Sequence, residues 1–324
     1  MVIDKTKVKR ILIITLSNTG DCILTIPVLR TVVGAFPKAR IDVMAGPAGK
    51  EVFEKDPAVS KFIIYDKYAP VLEKRRILSK LRRLRYDLVV DLKNTMFGLL
   101  MGPRYRTSTV QTFPKKGMHS RDLHLLRLKG LGIEPIREGP GIYIPKEDEE
   151  SALKMLEKEG VLEDYVAVSP GAKSHLKRWP EDAFAALGDI LTGRKGFRVV
   201  FVGTGQDADI IKEISKKMKN KAVNLSNRTN LRELAAVLKK ARLVVTNDSA
   251  PLHLACSVGA RVVAIFGPTD PARYGPTGGF DRVVMKKIFC SPCESAECRF
   301  NYECMRVITP DEVYEAAVAA LKDR

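Results

Sequence analysis

Charge-handling side chains gather in three loops of the 324-residue chain. The first, Ser17-Asn18-Thr19-Gly20-Asp21, follows an apolar stretch and sets Asp21 at the start of a helical pattern. A carboxylate there has two roles open to it. It can take a proton from a substrate hydroxyl, or it can complement the helix dipole as a first-turn acid. One glycine is too few for a G-x-G-x-x-G dinucleotide fingerprint or a P-loop. The second loop runs from Ser169-Pro170-Gly171-Ala172 into Lys173-Ser174-His175-Leu176-Lys177-Arg178-Trp179-Pro180. Lys177 and Arg178, assisted by Lys173, suit the neutralisation of a diphosphate. The same stretch also reads as a surface loop anchored by Trp179, the single tryptophan. The third, Thr246-Asn247-Asp248-Ser249-Ala250-Pro251-Leu252-His253, ends a strand and opens a helix, whose free N–H groups bind anions without a side-chain charge. Asp248 and Ser249 are equally what an ordinary N-cap uses, and His253 reads as a packed helix histidine or as a catalyst. Phe266-Gly267-Pro268-Thr269-Asp270-Pro271 caps the next strand, and Gly203-Thr204-Gly205 is a short glycine pair of low specificity.

A fourth group, Cys290-x2-Cys293-x4-Cys298-x5-Cys304, holds four of the six cysteines. Two readings stand: a structural zinc or iron–sulfur site, or structural thiols. The spacing is not that of a zinc ribbon. Cys22 and Cys256 fall in apolar helical stretches and read as core.

The elements that must position these loops alternate between apolar, β-rich runs and helical patterns. Residues 10–16, 41–45, 62–65 and 87–92 read as strands, and 21–36, 72–84 and 121–131 as helices. Gly139-Pro140-Gly141-Ile142-Tyr143-Ile144-Pro145 punctuates the chain, and an acidic helix begins near 146, which puts a boundary at about 145–160. Beyond it, strands at 165–169, 198–202, 243–246 and 262–266 alternate with helices at 180–191, 207–218, 231–239 and 251–258. Such βαβ alternation predicts doubly wound parallel sheets, one per domain. The expected domains are residues 1–150 and 151–309. The last helix, about residues 310–324, is a candidate to pack back on the first domain.

Composition bounds the function. Hydrophobic residues make up 45% and charged residues 29%, which excludes disorder, collagen and coiled coil. A chain of this length fits two domains. The net charge of +17 is uneven: residues 1–140 carry 27 Lys and Arg against 13 Asp and Glu, and the remainder 28 against 25. Lys74-Arg75-Arg76, Lys80, Arg82-Arg83 and Arg85 form the densest run, which favours a polyanionic partner or is a solvated helix face. Basic residues precede Ile11, yet the apolar run stops at Leu16 without a cleavage pattern, and no stretch of about 18 apolar residues follows. The expected location is cytoplasmic.

Taken in order, SNTGDCILTIPVLRTV, DLKNTMFGLLMG, SPGAKSHLKRWP, TNDSAPLHLACSVGA, IFGPTDP and CSPCESAECRFNYECM resemble glycosyltransferase family 9, the ADP-heptose:lipopolysaccharide heptosyltransferases. The resemblance runs from about residue 10 to 318. It implies the GT-B fold, with two Rossmann-like domains facing across a cleft, acceptor in the first and nucleotide-sugar in the second. It also implies inverting transfer of heptose from ADP-heptose to the Kdo–lipid A inner core, with no cofactor required for catalysis. On that resemblance Asp21 matches the catalytic base. Lys177 meets the donor phosphates, and Asp248, Ser249 and Ala250 hold the diphosphate at a helix start. Arg178, Gly171, Ala172 and His253 complete the donor side. Lys93, Arg104, Arg106, His119 and Arg121 are candidate acceptor contacts. The basic first domain suits Kdo carboxylates and lipid A phosphates, and a peripheral position on the anionic inner face of the inner membrane.

Two alternatives remain at this point. A related GT-B enzyme would use a UDP- or GDP-sugar or another acceptor, because the motifs leave the sugar pocket undefined. A basic nucleic-acid-binding protein would explain the charge, but no zinc-finger or RNP pattern is present and aromatic residues are only 7% of the chain. No nucleic-acid partner is therefore expected.

Overall fold

Parallel pairing is the rule throughout the described strands. The computed structural model describes residues 3–108, 117–136, 139 and 141–322, which fall into two compact units, 1–143 and 144–324. In the first, strands β1 (Arg10–Ile14), β2 (Arg40–Ala45), β3 (Lys61–Ile64), β4 (Leu88–Asp91) and β5 (Tyr105–Arg106) form a sheet of order β3-β2-β1-β4-β5. The second holds β6 (Tyr165–Ser169), β7 (Arg198–Phe201), β8 (Val223–Asn224), β9 (Leu243–Asn247), β10 (Val262–Phe266) and β11 (Arg282–Met285) in the order β11-β10-β9-β6-β7-β8. Every pairing in both sheets is parallel. Each unit therefore has one edge where all strands end, and one point where the order reverses: between β1 and β4, and between β6 and β9. Open α/β sheets bind ligands outside the strand ends at that point.

Burial explains why these segments pair. The central strands β1, β4, β6, β7, β9 and β10 are short runs rich in Val, Ile and Leu, buried on both faces as parallel sheets require. In the second unit Val166, Val168, Val199, Phe201, Leu243, Val245, Val263 and Ile265 alternate onto one face, with helices Glu181–Lys195, Ala208–Lys217 and Pro310–Lys322 packed against them. Tyr165, on the opposite face, donates its hydroxyl proton to Val237 O at 2.6 Å and so holds helix Leu231–Lys240 there. The last helix is part of this core through Val313, Tyr314, Ala317 and Ala320. Its apolar stripe packs on β9–β11 and Glu181–Lys195.

One expectation shifts. The single helix expected over 21–36 is two, Thr19–Leu24 and Ile26–Ala35. Thr25 interrupts them: its hydroxyl donates to Cys22 O at 2.7 Å and meets Thr15 Oγ1 at 2.7 Å, while Pro27 lacks the N–H a continuous helix needs. The division between the units falls at 143/144, ahead of the acidic helix Lys146–Lys158, which packs on Leu231–Lys240. Upstream, Arg30 grips Asp56 with two hydrogen bonds and Gly141 O with a third, which keeps the end of the first unit on its own sheet.

Trp179 fixes the second unit's long loop to its core. It is buried, its ring lies edge to face with Phe184 at 4.9 Å, and its indole N–H donates to Ile308 O at 3.0 Å. Trp179→Ala is expected to cost about 3–5 kcal/mol of stability, read as a lowered urea midpoint with unchanged slope.

Candidate active site

At the switch point of the second unit three loops meet on one carboxylate. Asp248, just past β9, is buried; its Oδ2 accepts from Lys177 Nζ at 2.6 Å and from Thr269 Oγ1 at 2.7 Å. Lys177 comes from the loop after β6 and Thr269 from the loop after β10. Next to Asp248, Asn247 is fully buried, donates to Pro170 O at 2.8 Å and accepts from Trp179 N at 3.2 Å. Lys177 thus stands as a fixed, partly exposed cation, 6.0 Å from the Tyr274 ring centre. Helix Ala250–Ser257 begins beside it, with Ser249 at the N-cap and no side-chain cap bond to its first-turn amides. Pro251 has no N–H and the Leu252 N–H donates to Ser249 O at 3.1 Å, so a held lysine and the Ala250 N–H are what this helix start can offer an anion.

The remaining donor-side residues divide. Arg178 Nε donates to Ala172 O at 2.9 Å, so this cation shapes the loop as well as charging it. Gly171 has no room for a side chain: a Cβ there would lie 2.1 Å from Asp207 Oδ1. Asp207 in turn caps Thr204 through two 2.8 Å bonds, which gives the short glycine pair a structural use. Ala172 is buried, and His253 is half-buried in the first turns of the helix. Asp248 does its work by holding Lys177 and Thr269.

In the first unit Asp21 lies in the first turn of Thr19–Leu24, half-buried, and its Oδ2 accepts from Asn18 Nδ2 at 3.1 Å. Behind it Cys22 is buried and donates to Leu16 O; burial, with the Asp21 charge next, pushes its thiol up to about 12, so it is inert. Across the switch point Lys93 reaches Ser17 Oγ at 2.6 Å and lies 5.5 Å from the Tyr65 ring centre. Burial, then Lys67, lowers its pKa. The structure thus brings Lys93 to the Asp21 loop.

Sequence reasoning missed the buried support of this corner. Asp91, the last residue of β4, accepts from Thr95 Oγ1 at 2.7 Å and from Lys93 N at 3.0 Å. Burial raises its pKa, and those hydrogen bonds pull it back. Arg127, also buried, donates to Asp91 O and to Asn94 Oδ1, each at 2.7 Å. The available signal was the acid closing the apolar run Leu88-Val89-Val90. Of the other acceptor candidates, His119 caps Ser120–Lys129, its Nδ1 accepting from Arg121 N at 3.2 Å. Arg104 does not join Lys93: it precedes β5, whose Tyr105 pairs with Leu88 at the start of β4, the edge away from Asp91. Arg106, next to Val89 in register, lies between.

The four clustered cysteines are free thiols: Cys304 is buried, Cys290 half-buried, and Cys293 and Cys298 exposed. Among the described residues no three His, Cys, Asp or Glu side chains group as metal ligands. The segment braces the loops after β6 and β10. Cys293 N and Glu294 N donate to Pro268 O, and Tyr302 lies edge to face with His175 at 5.7 Å.

With this geometry established, comparison with known proteins decides the family. The model of "Glycosyltransferase family 9 (heptosyltransferase)" matches residues 114–303. The chain belongs to glycosyltransferase family 9. It is therefore a glycosyltransferase, and its two parallel-sheet units are the α/β architecture of GT-B enzymes. It is 28% identical over 283 residues to lipopolysaccharide heptosyltransferase 3 of Escherichia coli K12, covering 79% of this chain and 82% of that protein. Its fold is similar to the family 9 glycosyltransferase of Veillonella parvula, with TM-score 0.82, 24% identity and 98% of each chain covered. A second fold match is E. coli ADP-heptose lipopolysaccharide heptosyltransferase II, with TM-score 0.75, 22% identity, and 96% and 98% covered. No helix of the described residues is long and apolar enough to cross a membrane.

His124, half-buried near Arg127, gives this family 9 chain a pH signature. Burial, then Arg127 and His119, lowers its pKa from 6.5 to about 4. The unfolded chain takes the proton first, so stability falls as pH drops below 6.5 and this contribution stops changing near 4. Between pH 7.5 and 5.5 the loss is expected to be about 1 kcal/mol, measured by urea unfolding and absent in His124→Gln.

Proposed function

We propose that this protein transfers heptose from ADP-heptose to a Kdo–lipid A type acceptor of the lipopolysaccharide core, with inversion at the anomeric carbon. The observation that carries the reading is the Lys177–Asp248 pair at 2.6 Å beside the uncapped start of Ala250–Ser257. It offers a diphosphate one fixed cation and the Ala250 N–H at a helix start. The names of the relatives support the sugar and the pathway: one is a lipopolysaccharide heptosyltransferase and another an ADP-heptose enzyme.

In the proposed step an acceptor hydroxyl attacks the anomeric carbon of the heptose. Its proton passes to the Asp21 carboxylate, the new C–O bond forms, and the bond to the ADP oxygen breaks with ADP leaving as the anion. A sugar hydroxyl is a weak nucleophile, so the carboxylate matters as the bond forms. Charge then develops on the departing phosphate, where Lys177 and the Ala250 N–H stabilise it. Two fixed positive elements answer the leaving group's charge without a divalent ion, and EDTA is expected to leave turnover unchanged. Lys93, at the Asp21 loop, is the proposed contact for an acceptor carboxylate. Catalysis on a lipid-linked saccharide calls for a peripheral position on the inner face of the inner membrane.

Steady-state kinetics test the roles separately. Asp21→Asn is expected to lower kcat by about 10²–10⁴-fold with little change in donor KM; a loss under about tenfold overturns the base assignment. ADP at 100 times its Kd is expected to add about 2.7 kcal/mol to stability, and Lys177→Ala to remove most of that shift. Stabilisation by UDP or GDP in place of ADP would keep the chemistry and change the donor.

A further inference from the structure

An apolar rim shares the sheet edge of Asp21 and Lys93. Tyr65, on the turn after β3, meets Phe97 edge to face at 5.0 Å, and Arg82 Nε donates to Leu100 O at 2.8 Å. Helices Val71–Arg83 and Phe97–Leu100 therefore lie side by side on one face of the first sheet, over Leu12, Ile14, Met44 and Val89. Outside that contact Tyr68 is 81% exposed, Val71 67%, Leu72 61% and Met96 57%, and Leu99 and Leu100 are exposed as well. Because the sheet is parallel, Tyr68, Val71 and Leu72, which follow β3, and Met96, which follows β4, stand at the strand ends, as does the loop after β1.

Cations flank this rim. Helix Val71–Arg83 carries Lys74, Arg75, Arg76, Lys80, Arg82 and Arg83 against one acid, Glu73. Its inner side, through Ile77, Leu78 and Leu81, is committed to the core. Along one flank, where Ile77 meets the surface, lies a shallow, mainly apolar groove of about 420 Å³ that includes Leu72, Arg76 and Lys80. Large apolar side chains exposed together at one end of a basic helix are unusual on a soluble surface. They match the make-up of elements that lie in a membrane interface, with apolar groups among the acyl chains and cations at the phosphates.

We propose that this surface docks the first unit on an anionic lipid bilayer, Tyr68, Val71, Leu72 and Met96 entering the interface while the helix cations meet the headgroups. The inference rests on the reading that the acceptor is lipid-linked, and it explains how that acceptor reaches the base: the docking rim and Asp21 belong to the same sheet edge. Lipid fits better than nucleic acid because the rim is mainly aliphatic. Tyr68 is the one aromatic among its exposed residues, whereas single strands need stacking platforms.

Sedimentation of the full chain with phosphatidylcholine vesicles, with and without phosphatidylglycerol, tests this. Binding is expected to be at least about tenfold tighter to the anionic vesicles and to weaken with salt. The triple substitution Tyr68→Ser, Val71→Ser and Leu72→Ser is expected to lose about tenfold or more in vesicle affinity, while stabilisation by ADP is unchanged. Arg75→Gln with Arg76→Gln, an independent variant of exposed residues, is expected to lose the preference for anionic lipid. The proposal is overturned if the parent ignores anionic vesicles, if both variants sediment like it, or if it binds an oligonucleotide and not vesicles. ADP stabilisation separates the two readings. Vesicle binding without it sinks the donor assignment alone, and its persistence without vesicle binding sinks the docking surface alone.

Discussion

A buried carboxylate at the end of β9 holds the second unit's working edge together. Asp248 leaves water and would be costly without partners. It is compensated by Lys177 from the loop after β6 and Thr269 from the loop after β10. One group therefore sets the relative positions of three loops. Asn247 extends the tie to Pro170 and to the Trp179 amide, and Trp179 carries it into the core. Lys177 is thus pre-oriented by packing, which is what electrostatic stabilisation requires of a charge.

The first unit repeats the arrangement with a different outcome. β4 stands to β1 as β9 stands to β6, and its last residue, Asp91, is again a buried acid. Here the carboxylate is satisfied by Thr95 and the Lys93 amide, and the buried cation, Arg127, is spent on a backbone carbonyl and Asn94. The Lys93 ammonium is not locked by that acid. It extends to Ser17, on the loop that carries Asp21. Equivalent strand ends thus yield a clamped cation in one unit and a cation turned to the Asp21 loop in the other.

Charge follows the same division. The excess of basic residues lies in the first 140 residues, and the densest part is a helix whose inner side is packed and whose outer side is cationic beside exposed apolar groups. Such a surface does little for folding. Like charges on one helix repel, and exposed Val71 and Leu72 contribute no burial. The exposed apolar groups stand at the strand ends, on the same sheet edge as Asp21.

Much of this was legible in one dimension. Apolar runs of four to six residues alternating with helical periods required parallel sheets. The order of the loop motifs carried the family. The small strands β5, β8 and β11 were not legible, since two to four residues carry too little periodicity. Nor was the break at Thr25, which depends on a hydroxyl pair with Thr15 ten residues earlier. At the site, residue types alone nominated Asp21, Lys177 and Asp248. Tertiary structure decided that Asp248 grips Lys177, that Gly171 makes room for Asp207, that Arg104 belongs to the far edge, and that Asp91 and Arg127 underpin the corner that holds Lys93. The physical reason is that local pattern follows from each residue's own neighbours in the chain. Which buried charge finds which partner depends instead on strand order, and strand order joins residues 71 positions apart at 2.6 Å.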